Sequence, residues 1–320
     1  MGFSIIGTGK SVPGHVVTNE MLSRFLETND EWISSRTGIK NRNVITDETL
    51  LGLASEAAEA AVSDAGISVA DIDMIVVSTL QGDFVSPALS CLVAQKIGSS
   101  ADKVFDINMG CCGFVFALDL ADTYLSAGKA ECVLVVCAES LSKLVDWTDR
   151  STCVLFGDGA GAVVLKKSDN KAEIITKIEG GYENLYIPGR MGNSPYAVKK
   201  DGSEYLAMNG REIFKFAVSS IVEDIGTVLE NNSLSCEDVS YFLLHQANLR
   251  IINFSRQRLG QPEEKFPHNV ENYGNTSSAS IPILLDDLNK QGMLKKDDLI
   301  VFSAFGAGLA RGTCLIKWGR

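Results

Sequence analysis

Three side chains that could carry acyl chemistry stand out in the sequence: Cys111, His245 and Asn275. A cysteine thiolate is a strong nucleophile, and histidine and asparagine can donate hydrogen bonds to an oxyanion. Cys111 follows the apolar segment 103–107 and precedes apolar residues that recur with helical spacing from Gly113 onward. We therefore expect a strand, a turn and a helix whose dipole lowers the pKa of the thiol. A buried structural cysteine is the alternative that any single cysteine leaves open.

His245 and Asn275 each have an ordinary interpretation as well as a functional one. His245 follows the predicted strand 241–244, and Asn275 lies in the small-residue segment 274–285 that leads into a predicted helix. Singly, the histidine could be satisfied near the edge of the core, and the asparagine could serve only the turn. Together with a cysteine they would be a nucleophile and two hydrogen-bond donors, which is the equipment for acyl transfer.

The second half of the chain repeats the first in order and spacing. Residues 71–79 and 238–246 both read as a short polar link followed by an apolar strand, and the turn at Asn275 then corresponds to the cysteine turn. Alternating strands and helices in two related halves, 1–170 and 171–320, predict a layered α/β protein. A pseudo-twofold axis between the halves would bring the two turns face to face.

Composition excludes several classes of function. The 320 residues carry a net charge of -11, which argues against nucleic acid or an anionic membrane as the main partner. The eight cysteines contain no C-x-x-C pair and the three histidines lack metal-ligand spacing, so no metal site is expected. Without a signal peptide or a long apolar run, we expect a soluble cytoplasmic protein with reduced thiols.

Local patterns predict further elements. Ser86 followed by Pro87 predicts a helix that begins with Ser86 as its N-cap and ends at Gly98. The glycines of 156–162 predict the centre of a hairpin, since no helix follows them as it would in a dinucleotide site. The segment 29–39 is expected as a polar stretch with an exposed tryptophan.

Six motifs in a fixed order resemble the beta-ketoacyl-acyl-carrier-protein synthase III family, condensing enzymes of the thiolase-like fold. The motifs are WISSRTGI at 32–39, DINMGCCGF at 106–114, FGDGAGA at 156–162, HQAN at 245–248, GNTSSAS at 274–280 and FGAG at 305–308. The resemblance implies a layered α-β-α-β-α fold built from two halves. It also implies a homodimer.

The resemblance implies a reaction in two stages. Cys111 attacks an acyl-CoA thioester, and malonyl-acyl-carrier protein then loses CO2 to give an enolate that condenses with the acyl-cysteine. His245 and Asn275 would hold the enolate oxygen, and a neutral His245 suffices as donor. The backbone N–H groups of Cys111 and Ala307 would form the oxyanion hole, with Ala307 where many relatives have glycine. The product would be a beta-ketoacyl-acyl-carrier protein that initiates fatty acid synthesis.

The resemblance also carries over to binding residues, with no cofactor beyond the CoA thioester substrate. The expected CoA-binding residues are Trp32, Arg36, Arg150, Gly210 and Asn248. The expected carrier-protein-binding residues form a basic cluster, Lys215, Arg250, Arg256 and Arg258. Ser86 stands where acetyl-preferring relatives have a bulky aromatic residue that closes the pocket across the dimer interface, which implies room for a longer or branched primer. Alternatively, Phe84 or Phe114 fills that space.

Three other functions remain open from the sequence. The first is a related condensing enzyme or acyltransferase of secondary metabolism that uses another acceptor. The second is a thioester or amide hydrolase, against which the lack of a second general base argues. The third is an inactive binding relative, which would be expected to lack one of the three polar side chains.

Overall fold

The computed structural model describes residues 2–189, 195–196 and 203–320. The strands are β1 Gly2–Ser11, β2 Val16–Thr18, β3 Asn41–Asn43, β4 Met74–Ser78, β5 Lys103–Ile107, β6 Cys132–Ser140, β7 Asp158–Ser168, β8 Glu173–Ile178, β9 Leu185–Tyr186, β10 Ala207–Met208, β11 Tyr241–Leu244, β12 Leu299–Gly306 and β13 Ala310–Lys317. The helices are α1 Asn19–Ser23, α2 Asp30–Thr37, α3 Leu50–Ala65, α4 Leu89–Lys96, α5 Gly113–Ser126, α6 Gly210–Asn231, α7 Leu249–Arg258, α8 Val270–Tyr273 and α9 Ser280–Lys290. In this described part, no helix combines the length and apolar character needed to cross a membrane.

Two main sheets share one pattern of strand pairing. The first has the order β1-β7-β6-β4-β5, with two antiparallel pairs followed by two parallel pairs. The second, in the order β8-β13-β12-β11, has two antiparallel pairs followed by one parallel pair. The second sheet therefore repeats the first without a counterpart of β5. The division of the chain at residue 170 stays a prediction, and all strands of the first sheet precede those of the second.

The two sheets alternate with helical layers because their strands are buried on both faces. In β6, Val133 and Val135 join the cluster between the sheets, whereas Leu134 and Val136 join the cluster under α3 and α4. Helices α5 and α9 fill the space between the sheets, and α6 and α7 cover the outer face of the second sheet. The predicted layered α-β-α-β-α architecture is confirmed.

The helix after Pro87 begins later than the sequence predicts. Helix α4 starts at Leu89, and the residue before it, Ala88, has no capping side chain. The Asp106 carboxylate at the end of β5 instead accepts the backbone N–H groups of Leu89 and Ser90, each at 2.7 Å. The prediction of Ser86 as N-cap is wrong because a residue from another strand satisfies these donors.

The glycine-rich segment 156–162 belongs to a strand and not to the centre of a hairpin. Its last five residues begin β7, where Gly161 pairs with Lys10 of β1 and Cys137 of β6. A Cβ on Gly161 would lie 2.8 Å from the backbone nitrogen of Ile283 in α9. Small residues here therefore let the central helix approach the sheet, a tertiary requirement that the local sequence does not reveal.

The segment 29–39 contains a short helix where the sequence predicts only a polar stretch. Helix α2 begins after Asn29, whose side chain accepts the Trp32 N–H, and ends before Gly38 at a φ of 79°. This helix has few apolar residues, so the spacing of apolar residues in the sequence does not predict it. It presents Trp32 to the cavity described below.

Candidate active site

Two short turns of the same kind meet between the sheets. The first, Gly110–Cys112, is a 3₁₀ turn that leads into α5, and the second, Ser277–Ala279, is a 3₁₀ turn that leads into α9. We call them the first and second elbows. A Cβ on Gly113 would lie 3.1 Å from the Cβ of Ser278, so glycine allows this close approach. The elbows therefore face each other, as the internal repeat predicts.

A cavity of about 1540 Å³ collects the three candidate side chains. Cys111, His245 and Asn275 all line it. His245 is 1% exposed and Asn275 6% exposed, so these two mark the inner end of the cavity. Exposed residues such as Arg36 and Lys215 mark the end that opens to solvent.

The Cys111 thiol is held in its protonated form in the resting protein. Burial raises its pKa to about 12; the Ser277 side chain opposes this rise, and the nearby charge of Glu139 adds to it. This direction is opposite to the one predicted from the helix dipole, because burial removes hydration from the thiolate. Before substrate binds, the thiolate is therefore a minor form of Cys111.

His245 is neutral, and its neighbours select one tautomer. Burial lowers its pKa to about 3. The Ser280 hydroxyl lies 2.7 Å from Nδ1 and accepts the Gln246 N–H at 3.2 Å. All three groups are satisfied when Ser280 donates its one proton to Nδ1, which leaves the proton of the ring on Nε2. His245 can then donate a hydrogen bond from Nε2 towards the cavity.

Asn275 is oriented by its own backbone and side chain. Its N–H donates to the Leu155 carbonyl at 2.8 Å and its carbonyl accepts the Gly157 N–H at 3.0 Å. Its Oδ1 accepts the Ser277 N–H at 2.8 Å. Because Oδ1 is engaged in this way, the Nδ2 amide group is the part left to donate into the cavity.

The segment 306–308 packs against the first elbow. A Cβ on Gly306 would lie 3.0 Å from the Cys111 nitrogen, and a Cβ on Gly110 would lie 3.5 Å from the Ala307 nitrogen. The positive φ of this segment, 140°, belongs to Gly308 and not to Ala307. Alanine at 307 therefore carries no left-handed strain, and the two proposed oxyanion-hole nitrogens belong to adjoining backbone segments.

The predicted CoA-binding residues gather at the open part of the cavity, with one exception. Trp32, Arg36, Gly210 and Asn248 line the cavity. The guanidinium groups of Arg36 and Arg150 lie 4.7 and 5.1 Å from the centre of the Trp32 ring. Arg150 contributes to this stack and is not part of the cavity wall, and it donates a hydrogen bond to the Glu27 carbonyl.

The predicted basic cluster is divided by the structure. Lys215 and Arg250 line the cavity, and Arg250 lies 5.7 Å from the centre of the Phe214 ring. Arg256 and Arg258 lie in the last turn of α7, outside the cavity wall. The opening therefore carries two of the four predicted cations.

The predicted acyl-pocket residue does not line the cavity of its own chain, and its contribution to the cavity of a second copy stays a prediction. Ser86 is exposed and absent from the wall, whereas Phe84 and Val85 line it. Phe114 is fully buried in the core, with its ring 5.4 Å from that of Phe302, so it does not fill the cavity. Of the two aromatic alternatives, only Phe84 faces the cavity.

Sequence reasoning missed the residues that position the candidate site. In the sequence, Ser277 and Ser280 belong only to a small-residue turn, whereas in the structure Ser277 contacts Asn275 and Ser280 contacts His245. Glu139 was missed altogether, and its signal is a lone acidic residue near the end of the apolar run 132–138. Within the described ranges, no group of three or more His, Cys, Asp or Glu side chains is placed to hold a metal ion.

Comparison with known proteins gives a consistent result. Two family models match, "3-Oxoacyl-[acyl-carrier-protein (ACP)] synthase III" over residues 105–181 and its C-terminal counterpart over residues 229–318. A beta-ketoacyl-[acyl-carrier-protein] synthase III of Clostridium acetobutylicum is 44% identical over 98% of both chains.

Solved structures agree with these matches. The crystal structure of 3-oxoacyl-[acyl-carrier-protein] synthase III from Aquifex aeolicus VF5 is 43% identical and gives a TM-score of 0.92, covering 99% of this chain and 100% of that one. The priming beta-ketosynthase of the R1128 polyketide pathway gives a TM-score of 0.92 at 34% identity, covering 99% and 96%. The chain therefore belongs to the 3-oxoacyl-[acyl-carrier-protein] synthase III family.

Proposed function

We propose that the protein catalyses the decarboxylative condensation of an acyl-CoA primer with malonyl-acyl-carrier protein, the step that initiates fatty acid synthesis. The observation that carries this proposal is the convergence of Cys111, His245 and Asn275 on one cavity. The cavity holds a nucleophile and two oriented hydrogen-bond donors, and its opening carries cations and an aromatic ring. The names of the relatives agree with this chemistry.

In the first stage, the Cys111 sulfur attacks the thioester carbonyl of acyl-CoA. The S–H bond breaks as the new S–C bond forms, the tetrahedral oxyanion accepts hydrogen bonds from the N–H groups of Cys111 and Ala307, and CoA leaves as its thiol. The proton lost by Cys111 is thus balanced by the proton gained by CoA. Because the thiol pKa is about 12, we expect acylation to be faster at higher pH.

In the second stage, malonyl-acyl-carrier protein replaces CoA in the cavity. The bond to the carboxylate breaks, CO2 leaves, and negative charge develops on the thioester oxygen. The Nε2 group of His245 and the Nδ2 group of Asn275 donate to this oxygen. The enolate carbon then attacks the acyl-cysteine carbonyl, the S–C bond breaks, and the beta-ketoacyl product forms. The Cys111 sulfur leaves as a thiolate and takes up one proton from solvent to restore the thiol.

Surface features support the proposed partners. The Trp32 ring with the Arg36 and Arg150 guanidinium groups beside it suits the adenine and phosphate groups of CoA, since arginine offers both a planar face and a charge. Lys215 and Arg250 at the opening suit an acidic carrier protein. Arg256 and Arg258, in the last turn of α7, are proposed as further contacts of the same partner. We also propose a cytoplasmic location.

A homodimer is proposed from an uncovered edge of the first sheet. Strand β5 ends the sheet, and each of its residues is partly exposed. Val85, in the loop before α4, is 98% exposed, and Phe84 beside it is 57% exposed. An open strand edge next to exposed apolar side chains favours pairing with a second copy.

Intact-mass measurement with a panel of acyl-CoAs tests the first stage. We expect one acyl group per chain in the wild type and in Cys91→Ser, an exposed-cysteine control, and none in Cys111→Ser. Cys111→Ser that still carried the acyl group would contradict the proposal. The accepted chain lengths would also report whether Phe84 leaves room for a long primer.

Release of CO2 from malonyl-acyl-carrier protein tests the second stage. We expect release to depend on His245 and Asn275 and to yield the beta-ketoacyl product. Full-rate release of free acid from acyl-CoA alone would favour a hydrolase. Acylation without any use of malonyl-acyl-carrier protein would favour the alternative, a condensing enzyme or acyltransferase with another acceptor. The similarity to the priming beta-ketosynthase of the R1128 polyketide pathway is the observation that favours this alternative.

A further inference from the structure

A buried carboxylate lies below the two elbows and has no role in the reaction described above. Glu139, near the end of β6, is 1% exposed. Its Oε1 accepts the Ser278 hydroxyl at 2.6 Å, and its Oε2 accepts the Leu80 N–H at 3.0 Å. Within the described residues it forms no ion pair with a lysine or arginine, although buried acidic groups are ordinarily paired. Its burial without a cation therefore calls for a specific reason.

The position of Glu139 connects it to both elbows. Ser278, its hydrogen-bond donor, belongs to the second elbow. The Cβ of Ser278 in turn packs on Gly113, two residues after Cys111. Ser277, which has a positive φ of 51°, lies beside the Cys111 thiol and the Glu139 carboxyl and lowers the pKa of both groups. The carboxylate is thus within electrostatic reach of the proposed nucleophile.

We propose that Glu139 is a positioning residue for Cys111: through the Ser278 hydroxyl it holds the second elbow against the first, and it places a buried carboxylate beneath the Cys111 turn. This inference rests on the proposed role of Cys111. The hydrogen bond fixes where the thiol sits, and the charge sets how reactive the thiol is. The chemical consequence is that thiol reactivity depends on whether Glu139 is ionised.

The ionisation of Glu139 falls within the physiological pH range. Burial raises its pKa to about 7, and hydrogen bonds from Ser278 and Leu80 oppose that rise. Below this pH the carboxyl is neutral and does not repel a thiolate. Above it, the carboxylate raises the pKa of Cys111 in addition to the effect of burial.

His245 and the other cysteines near Cys111 do not change charge in this range. Burial raises the pKa of the Cys112 and Cys137 thiols well above the ordinary value and keeps His245 neutral. Asp106, which lines the cavity from the end of β5, accepts two backbone N–H groups at the start of α4. Glu139 is therefore the group whose titration a probe of Cys111 should detect between pH 6 and 8.

Alkylation of Cys111 by iodoacetamide, followed by mass measurement of the peptide that contains it, tests the proposal. Glu139→Gln keeps the shape and an acceptor oxygen but removes the charge. We expect equal rates for wild type and Glu139→Gln below about pH 6, and about tenfold faster alkylation of the variant above about pH 8. At each pH, the exposed Cys91 in the same sample should be alkylated at the same rate in wild type and in Glu139→Gln.

Ser278→Ala provides a second variant that keeps the Cβ against Gly113. Without the hydroxyl donor the pKa of Glu139 should rise further, because its ionised form loses a hydrogen bond. We expect this variant to be alkylated faster than wild type only between about pH 7 and 8, and at the wild-type rate at higher pH where Glu139 is ionised in both proteins.

The outcomes separate this inference from the proposed function and from a purely structural role. Identical pH profiles in wild type and both variants would overturn the inference, and slower alkylation of Glu139→Gln would assign the carboxylate as a proton acceptor instead. If Glu139→Gln does not fold, the profile of Ser278→Ala decides alone. Acyl-CoA turnover is not required, so failure of the proposed function would leave this measurement interpretable.

Discussion

Hydrogen bonds from a serine hydroxyl and a backbone N–H determine which atom of His245 and of Asn275 faces the cavity. The Ser280 hydroxyl places the ring proton of His245 on Nε2, and the Ser277 N–H turns the amide group of Asn275 outward. The two donors are fixed before any substrate arrives, so no reorganisation is needed when charge develops on the enolate. Cys111 is the opposite case, since it is protonated at rest and must lose its proton during the reaction.

Ser280→Ala should weaken the second stage more than the first. Loss of the hydroxyl frees Nδ1 and permits the other tautomer, which removes the Nε2 donor for part of the time. We expect CO2 release from malonyl-acyl-carrier protein to fall about tenfold, with acylation of Cys111 by acyl-CoA unchanged. Ser219→Ala, at an exposed serine of α6, is the matched control. Equal losses in both stages would indicate a general packing defect.

His245 should remain neutral throughout the physiological pH range. Its pKa of about 3 means that the neutral form predominates at every pH above that value, so its imidazole signals should not move between pH 5 and 8 in an NMR titration. His268 supplies the contrast, because the Glu271 carboxylate raises its pKa above the ordinary 6.5. A His245 signal that titrated near pH 6.5 would show that the ring is hydrated rather than buried.

The elements that carry these residues are two elbows followed by two central helices. Each elbow is a 3₁₀ turn, and each helix continues directly from it between the sheets. The contact of the elbows requires small residues, because side chains at 113 would collide with their neighbours. A Cβ on Gly113 would lie only 1.8 Å from the Ser78 hydroxyl oxygen.

Gly113→Ala should therefore disturb both stability and the thiol. We expect a loss of about 1–3 kcal/mol in the free energy of unfolding, as for an overpacked core, and a changed rate of Cys111 alkylation. Gly226→Ala is the matched control, since that glycine is in the interior of α6, is exposed and has no atom within 4 Å of a new Cβ. We expect it to stabilise the protein by about 0.4–1 kcal/mol. Denaturant unfolding measures both values.

At the scale of the whole molecule, the uncovered edge of β5 predicts the assembly. Val85→Asp should shift sedimentation of the protein from dimer to monomer, because a charge would be buried where the 98% exposed valine meets a second copy. Val16→Asp, at another exposed valine in β2, should leave the sedimentation unchanged. A monomeric wild type would contradict the proposed dimer.

The overall charge of -11 makes local cations at the cavity opening informative. Lys215→Glu should raise KM for malonyl-acyl-carrier protein at low salt with little change in kcat, and the difference should shrink as salt screens the charges. Lys129→Glu, at an exposed lysine just after α5, alters net charge equally and should have little effect. Equal effects of the two substitutions would point to net charge rather than to a docking site.

The sequence by itself determined the features that local chemistry controls. Apolar runs and helical spacing were sufficient for strands β4, β5 and β11 and for α5, and the internal repeat was sufficient to place the turns of Cys111 and Asn275 opposite each other. Six motifs in a fixed order were sufficient to identify the family. These features depend on residues close in the chain or on patterns that recur, so they can be read without coordinates.

The tertiary structure alone decided the electrostatics and the packing around the site. The helix dipole suggested a reactive thiolate, whereas burial raises the thiol pKa to about 12. Asp106 capped α4 in place of Ser86, and Glu139 met Ser278 across 139 positions of the chain. The physical reason is that hydration, close packing and long-range hydrogen bonds depend on which distant residues surround a group, and only folding brings those residues together.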